Sequence, residues 1–406
     1  MYIESVIIMK NNLQYFNLLT TMNFQKTIIY LALLLDIIGI SVMIPAFPEL
    51  KLYYGISDFA VTMGLTVYSL FAFLAAPVLG QLSDKYGRKM PLLRCVIGTL
   101  FSYLILLVSQ NYILFLVSRV INGITGGNIS ILQAILADIS PTPEEKAKNF
   151  WLMGAFFGLG FIIGPVLGAL LLKFGGVHGI FWAGTIFAVI EIVLIAANFK
   201  NTNTLDHDKH LDYNSFTIMI KYFKKDHIRQ LLISLALLGI GGFIVNATMG
   251  LYMQGLFATA GSQYGLYLGI AGVIGAINMG YLIPKFWLKK FSPDTVNVIN
   301  HISLIVWYFL VGLMNNEVAF LLLFYITILF GNAYFVIYNT KIMSTAQPNE
   351  RGEISGMMSG LQSAFMFVWP LIGWLLLQYH INIFRATVVF TILSGVVMLR
   401  EFRVRL

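Results

Sequence analysis

Charge is what this sequence lacks. Of its 406 residues, 11% are Asp, Glu, Lys or Arg, against roughly 25% in an ordinary soluble domain, while 58% are hydrophobic. Eighteen acids and 26 basic residues cannot clothe a water-soluble globule of this length, so a soluble protein is excluded. Cysteine is nearly absent. The single Cys95 excludes an intrachain disulfide framework and any Cys-based metal cluster. A Gly-x-x-x-x-Gly-Lys-Ser/Thr run is missing, which removes the phosphate-binding loop of nucleotide-driven machines. Also missing are His-Glu-x-x-His, the Gly-x-Ser-x-Gly elbow and paired intramembrane aspartates, which argues against a membrane-embedded enzyme. The formal net charge of +8 invites a nucleic-acid reading, but the basic residues stand in short clusters beside apolar runs and report topology instead.

Those apolar runs are each about 20 residues long, the length that crosses about 30 Å of hydrocarbon as a helix. They are continuous rather than alternating, so helices and not barrel strands are expected. Candidate spans fall at 28–47, 61–80, 92–109, 112–137, 151–172 and 180–198, then at 231–252, 264–287, 298–314, 318–340, 354–377 and 383–399. With both termini placed in the cytoplasm, the outside segments hold only Lys51, Lys173 and Arg385, and Arg119 lies within span four. The other basic residues all fall inside, which orients the chain by the positive-inside rule. The organisation expected is a cytoplasmic lead over 1–26, a six-helix bundle over 27–198, a cytoplasmic linker over 199–229, a second bundle over 230–399 and a tail over 400–406. The lead is too weakly apolar to span, lacks a small-residue cleavage site and contains Met22 as an alternative start.

The two sides of the linker resemble each other. At an offset of 200, Gly39-Ile40 meets Gly239-Ile240 and Gly80 meets Gly280. At 205, Pro143, Glu145, Met153, Pro165 and Gly168 meet Pro348, Glu350, Met358, Pro370 and Gly373. Pro, Gly and Glu in one ungapped register argue for duplication. Two bundles related by a pseudo-twofold axis along the membrane normal should leave a cavity between them near the midplane.

Between spans two and three stands Gly80-Gln81-Leu82-Ser83-Asp84-Lys85-Tyr86-Gly87-Arg88-Lys89. Gly80 permits close backbone approach, Gly87 can take a positive φ, Asp84 can accept from a helix start, and Arg88 with Lys89 can pair with acids or headgroups. The decapeptide resembles the Gly-x-x-x-Asp-Arg/Lys-x-Gly-Arg-Arg/Lys signature of the major facilitator superfamily at every specified position. That resemblance implies a loop that latches the two halves on the cytoplasmic side, with the Asp near span eleven and the Arg near an acid closing span four, here Asp138. Span five reads Gly160-Phe161-Ile162-Ile163-Gly164-Pro165-Val166-Leu167-Gly168, similar to the Gly-x-x-x-Gly-Pro-x-x-Gly-Gly element of the family's antiporters. It departs at Ala169 and at Trp151. Span one, with Asp36-Ile37-Ile38-Gly39 and Pro45-Ala46-Phe47-Pro48, is similar to that of twelve-span drug:proton antiporters and tetracycline-type exporters. Arg119-Val120-Ile121-Asn122-Gly123 resembles the family's Arg-x-x-Gln-Gly element. In the second half the position matching Asp84 is Pro284, so the second latch is degenerate.

Three ionisable residues fall within spans: Asp36, Arg119 and Glu191. Each costs on the order of 3 kcal/mol at a helix centre on insertion scales, so each should face a partner or a wet cavity. Asp36 is the candidate proton carrier, because a carboxylate whose exposure alternates can load on one side and unload on the other. Arg119 is expected either to modulate Asp36 or to serve as a fixed structural counter-ion to Asp36 or to backbone carbonyls. Glu191 has a coupling role or merely buttresses a neighbour, since sixth helices in the family lie toward the bundle's outside. Gln133, Asn246, Asn278, Asn332, Tyr334 and Gln362 are candidate cavity contacts, with interhelical hydrogen bonding the alternative. His301 and His178 could titrate near neutrality but are read as structural. The resemblance implies an all-α major facilitator fold of twelve transmembrane helices in a cytoplasmic (inner) membrane. The expected activity is export of a small amphiphilic, drug-like compound in exchange for protons, by a monomer needing no cofactor, metal or nucleic acid. The alternative is a facilitator or proton symporter for a metabolite, sugar or siderophore-like molecule.

Overall fold

The computed structural model describes residues 24–140, 142–199, 226–331, 333–344 and 370–405, and every regular element among them is helical. Hydrocarbon offers no partner to an open backbone N–H or C=O, and a helix satisfies both within itself. The first helix, α1 (24–41), runs through a tight turn at Ile44–Ala46 into α2 (Phe47–Tyr54). Then come α3 (Asp58–Tyr86), α4 (Lys89–Val108), α5 (Tyr112–Thr125) and α6 (Asn128–Asp138). The long stretch α7 covers Pro143–Asn198. The second half holds α8 (Asp226–Phe257), α9 (Gly261–Ile277), α10 (Pro293–Val311), α11 (Glu317–Gly331), α12 (Ala333–Ser344), α13 (370–378) and α14 (Ile383–Arg405). Among the described residues, eight helices are long and apolar enough to span a bilayer, with two shorter apolar ones beside them. The expected span at 354–377 lies mostly outside the described residues.

Helix starts sit where the sequence supplies a polar cap. Ser57 accepts from Ala60 N, Asn111 from Leu114 N, Thr142 from Glu145 N and Ser292 from Thr295 N, at 3.0–3.3 Å. Each satisfies one of the orphan donors of a first helical turn.

Three irregularities shape the interior. Spans five and six are two helices, as expected, but they abut with one non-helical residue between them, Gly176, with φ 57° and ψ −155°, a conformation that glycine adopts without the Cβ penalty. Span four is two helical segments, α5 and α6, joined through Gly126-Gly127, and Asn128 opens α6. After Asn278, α9 widens into π-type turns through Trp287, around Pro284, whose missing N–H breaks the regular ladder.

The halves meet closely at the end carrying Pro45–Glu49. There the N–H of Gly261 donates to Glu49 Oε1 at 3.1 Å, and the Phe59 and Trp374 rings lie 4.4 Å apart. Along the same seam, a methyl placed on Gly265 would lie 2.6 Å from Pro165 O and one on Gly269 2.2 Å from Val166 Cγ2. Only glycine allows α9 and α7 to approach this closely.

Candidate functional site

The acid pocket is assembled by three helices. α1 carries Asp36, the first residue of α6, Asn128, reaches it, and the second arm of α7 brings Glu191. Asn128 Nδ2 donates to Asp36 Oδ2 at 2.6 Å, and the Asp36 and Glu191 carboxyl groups border the same small cavity. Glu191 is 2% exposed, and its Oε1 has no hydrogen-bond partner among the described residues. A small cavity of about 20 Å3 borders the pair and is lined also by Tyr68, Tyr103, Asn122 and Asn128.

A larger cavity of about 150 Å3 lies between the halves. Its wall takes Met43 and Phe47 from the first half, Phe243 and Asn246 from α8, and Pro370 from α13. Ile40, Tyr68, Tyr103 and Asn122 border both cavities, so one thin, mostly polar partition separates the acid pair from the space between the halves. Tyr103 is fixed in it by donating to Gly39 O at 2.6 Å.

Arg119 belongs to the larger cavity, not to the acid pocket. Its Nε faces Ser118 Oγ at 3.3 Å and its Cζ lies 5.6 Å from the Phe115 ring centroid. It makes no ion pair among the described residues, so the expected counter-ion contact with Asp36 is absent. The reason is register: Arg119 precedes Asn128 by nine residues, about 13 Å of helical rise, and it is Asn128 that touches Asp36.

The span-five glycines form one packing stripe. A Cβ on Gly160 would lie 2.4 Å from Ile37 Cγ2, on Gly164 1.9 Å from Ser41 Oγ, and on Gly168 2.5 Å from Val42 O. Ser41 closes the seam by donating to Gly160 O at 2.9 Å. The opposite side of this arm, at Pro165 and Ala169, meets Gly265 of α9. The helix bearing Asp36 is therefore seated directly on the helix that contacts the second half.

At the far end, the loop residues form a compact charge cluster. Arg88 is 6% exposed. Its guanidinium pairs with Asp84, reaches Ser83 Oγ at 2.7 Å, and clasps Asp138 through Nε at 2.8 Å and Nη2 at 3.3 Å. Lys89 Nζ donates to Ala196 O at 2.8 Å. Gly87 has φ 88°, and at Gly80 an added Cβ would meet only Ser130 Oγ, at 3.8 Å. Lys85 is half-buried in the last turn of α3. The span-eleven partner that the resemblance implies for Asp84 falls outside the described residues.

Of the other candidates, Asn246 lines the central cavity, while Tyr334 lines a separate one of about 280 Å3 within the second half that Asn246 also borders. Asn278 is fully buried and donates to Ile328 O and Leu329 O at 3.0 and 2.8 Å, which makes it an interhelical tie. Gln133 is half-buried on α6 and lines none of these three cavities. Asn332 and Gln362 lie outside the described residues. His301 is held between Asn297 O at 2.8 Å and Ser394 Oγ at 3.0 Å, and His178 faces Tyr53 Oη at 3.3 Å. Tyr68, Tyr103 and Asn128 were not singled out by sequence. For Asn128 a signal exists, since it follows the paired glycines that break span four; a tyrosine in an aromatic-rich helix gives none.

Comparison with known proteins agrees with this architecture. The family model described as Major Facilitator Superfamily matches residues 29–370. The chain is 30% identical over 279 residues to the class H tetracycline resistance protein of Pasteurella multocida, covering 66% of this chain and 69% of that protein. It is 27% identical over 382 residues to the quinolone resistance protein NorA of Staphylococcus aureus, covering 89% and 92%. A match to major facilitator superfamily domain-containing protein 10 of Bos taurus, 33% identical over 197 residues, takes in 41% of this chain and 42% of that protein. Among solved structures, the human organic anion transporter MFSD10 superposes with a TM-score of 0.69 at 20% identity, over 93% of this chain and 99% of that one.

Proposed function

Because this chain belongs to the Major Facilitator Superfamily, a family of multi-pass membrane transporters, we propose that it exports a small amphiphilic organic compound in exchange for protons by alternating access. The observation that carries this reading is the Asp36–Glu191 pair, held together at a small cavity of the first bundle and parted from the central cavity by Ile40, Tyr68, Tyr103 and Asn122, which border both. A proton on the pair and a molecule in the cavity press on the same partition. Loss of the proton leaves two carboxylates side by side, whose repulsion favours a rearrangement of α1 against α7; α7 in turn contacts the second half through Gly265 and Gly269. Charge chemistry is thereby linked to the relative position of the halves.

Sidedness follows from the basic residues, which put the Arg88 loop in the cytoplasm. The contacts at Glu49–Gly261 and Phe59–Trp374 then hold the halves together at the outer end, and export requires that end to part once cargo has entered from the cytoplasm. The names of the tetracycline and quinolone resistance relatives make those two compound types the first cargo to test. The twelve-helix count, the bundles over 27–198 and 230–399, and the monomeric state are part of the same proposal.

The deciding experiment uses the full-length protein in sealed vesicles with labelled tetracycline and a labelled quinolone. An imposed pH gradient should drive either compound against its own gradient. Asp36→Asn and Glu191→Gln should each lower that driven flux at least tenfold while sparing exchange of labelled for unlabelled compound. Gradient-driven flux that survives both substitutions would remove the acid pair from the mechanism. Accumulation in the same direction as the protons would replace exchange with symport.

A further inference from the structure

We infer that the central cavity receives an amphiphilic organic anion, with Arg119 meeting its negative end. The inference deepens the proposed transport function and rests on the cavity between the halves being the cargo site. Among the described residues lining that cavity, Arg119 is the only one that carries a formal charge. It is 6% exposed, and its Nη2 has no hydrogen-bond partner among the described residues. Around it stand uncharged groups: Ser118 Oγ, the Phe115 ring and, in the same cavity wall, Tyr68 and Tyr103. Asp36 and Glu191, the acids that could have neutralised it, line the smaller cavity across the partition, where Asp36 accepts from Asn128.

A guanidinium in this position is an unfilled half of an ion pair. Its planar fork matches a carboxylate or sulfonate in two parallel N–H···O bonds, and in a low-dielectric site such charge-assisted bonds are about twice as strong as neutral ones. The rest of the wall suits the other end of such a molecule. Met43, Phe47, Leu65, Phe161 and Phe243 supply apolar and adaptable aromatic contact for a ring system or short alkyl body. Asn246, from the opposite half, offers a hydrogen bond at a second point, so a cargo anchored on Arg119 also touches α8. An organic cation entering the same space would face Arg119 with no described carboxylate in the wall to offset it, and a neutral compound would leave the guanidinium unpaired.

The test compares three probes that share one ring system: 2-naphthoate, 2-naphthamide and 2-naphthylmethylammonium. Each is titrated into the purified full-length protein in detergent at neutral pH with no gradient, and affinity is read by calorimetry. Wild type should bind the carboxylate at least tenfold more tightly than the amide and bind the ammonium most weakly. Arg119→Gln should bring the carboxylate to within threefold of the amide, and Arg119→Lys should fall between, since lysine keeps the charge but not the fork. An amide or ammonium that binds wild type as well as the carboxylate does, a carboxylate preference that survives in Arg119→Gln, or a series with no binding at millimolar concentration would each overturn the inference. If Arg119→Gln does not fold, the wild-type series and Arg119→Lys still decide it. Because no proton gradient is present, the result is independent of whether Asp36 and Glu191 couple transport to protons.

Discussion

The seam between α1 and α7 allows one substitution to be worked through in detail. At Gly164 an added Cβ would lie 1.9 Å from Ser41 Oγ, 2.8 Å from Ser41 Cβ and 3.1 Å from the Ser41 carbonyl carbon. The hydroxyl can rotate away, but only by giving up its 2.9 Å bond to Gly160 O, at about 1 kcal/mol. The Cβ contact remains, and restoring it to an ordinary 3.4 Å requires the helices to part by about 0.6 Å locally. Overpacking of this kind costs about 1–3 kcal/mol, so Gly164→Ala should destabilise the protein by about 2–4 kcal/mol in all. Cys95, the sole cysteine and 2% exposed, provides the assay: a thiol-reactive fluorogenic dye should report unfolding of detergent-purified protein as this thiol becomes accessible. The melting temperature should drop by several degrees in Gly164→Ala. Ser41→Gly removes both offending side-chain atoms, so the double variant should melt higher than the sum of the two single losses allows. Additive losses, or a Gly164→Ala protein that melts with wild type, would show that these helices are not in the contact described.

The charge cluster at the loop gives a second expectation: Arg88→Gln leaves Asp84 and Asp138 facing each other without the guanidinium and should cost about 1–3 kcal/mol, discounted for the partial exposure of both acids, with Asp138→Asn on the same background recovering part of the loss in thermal melts. Gly87, at φ 88° and ψ 156°, occupies backbone space that only glycine enters readily, so Gly87→Ala should cost about 1–3 kcal/mol in the same assay. Glu49→Ala removes the acceptor for Gly261 N; it should loosen the end of the seam distant from the Arg88 loop and raise the labelling rate of an Asn246→Cys probe in a Cys95→Ser background by an impermeant thiol reagent added from that side, and an unchanged rate would deny Glu49 a closing role. Asn128→Leu deletes the 2.6 Å bond to Asp36 while keeping the volume, and it should shift the pH dependence of gradient-driven flux without changing protein yield.

The sequence alone determined the solvent, the secondary structure and the class of machine. Hydrocarbon imposes its requirement on each 20-residue run separately, so a scarcity of charge and a string of apolar runs already specify membrane helices. The Gly80–Lys89 loop is equally legible, because its residues act on neighbours a few positions away: Arg88 reaches Ser83 and Asp84 within the same turn. The span-five glycines signalled close packing, but not that the surface they admit is that of α1.

Tertiary structure alone decided which charges meet. Asp36 and Asn128 stand 92 residues apart in the chain, and Glu191 comes from a helix arm expected at the periphery, yet the three share one pocket. Arg119, which sequence reasoning grouped with them, sits about two turns away in a different cavity. Nothing in an apolar run of lipid-crossing length specifies helix rotation or depth, because lipid is indifferent to which face it wets; the close packing of Gly126-Gly127 on Tyr68 and Ala76 and the glycine seam between α1 and α7 set both. Asn278 shows the same limit from the other side, since an asparagine bound to two carbonyls of a neighbouring helix and one bordering an open cavity read identically until the neighbour is in place.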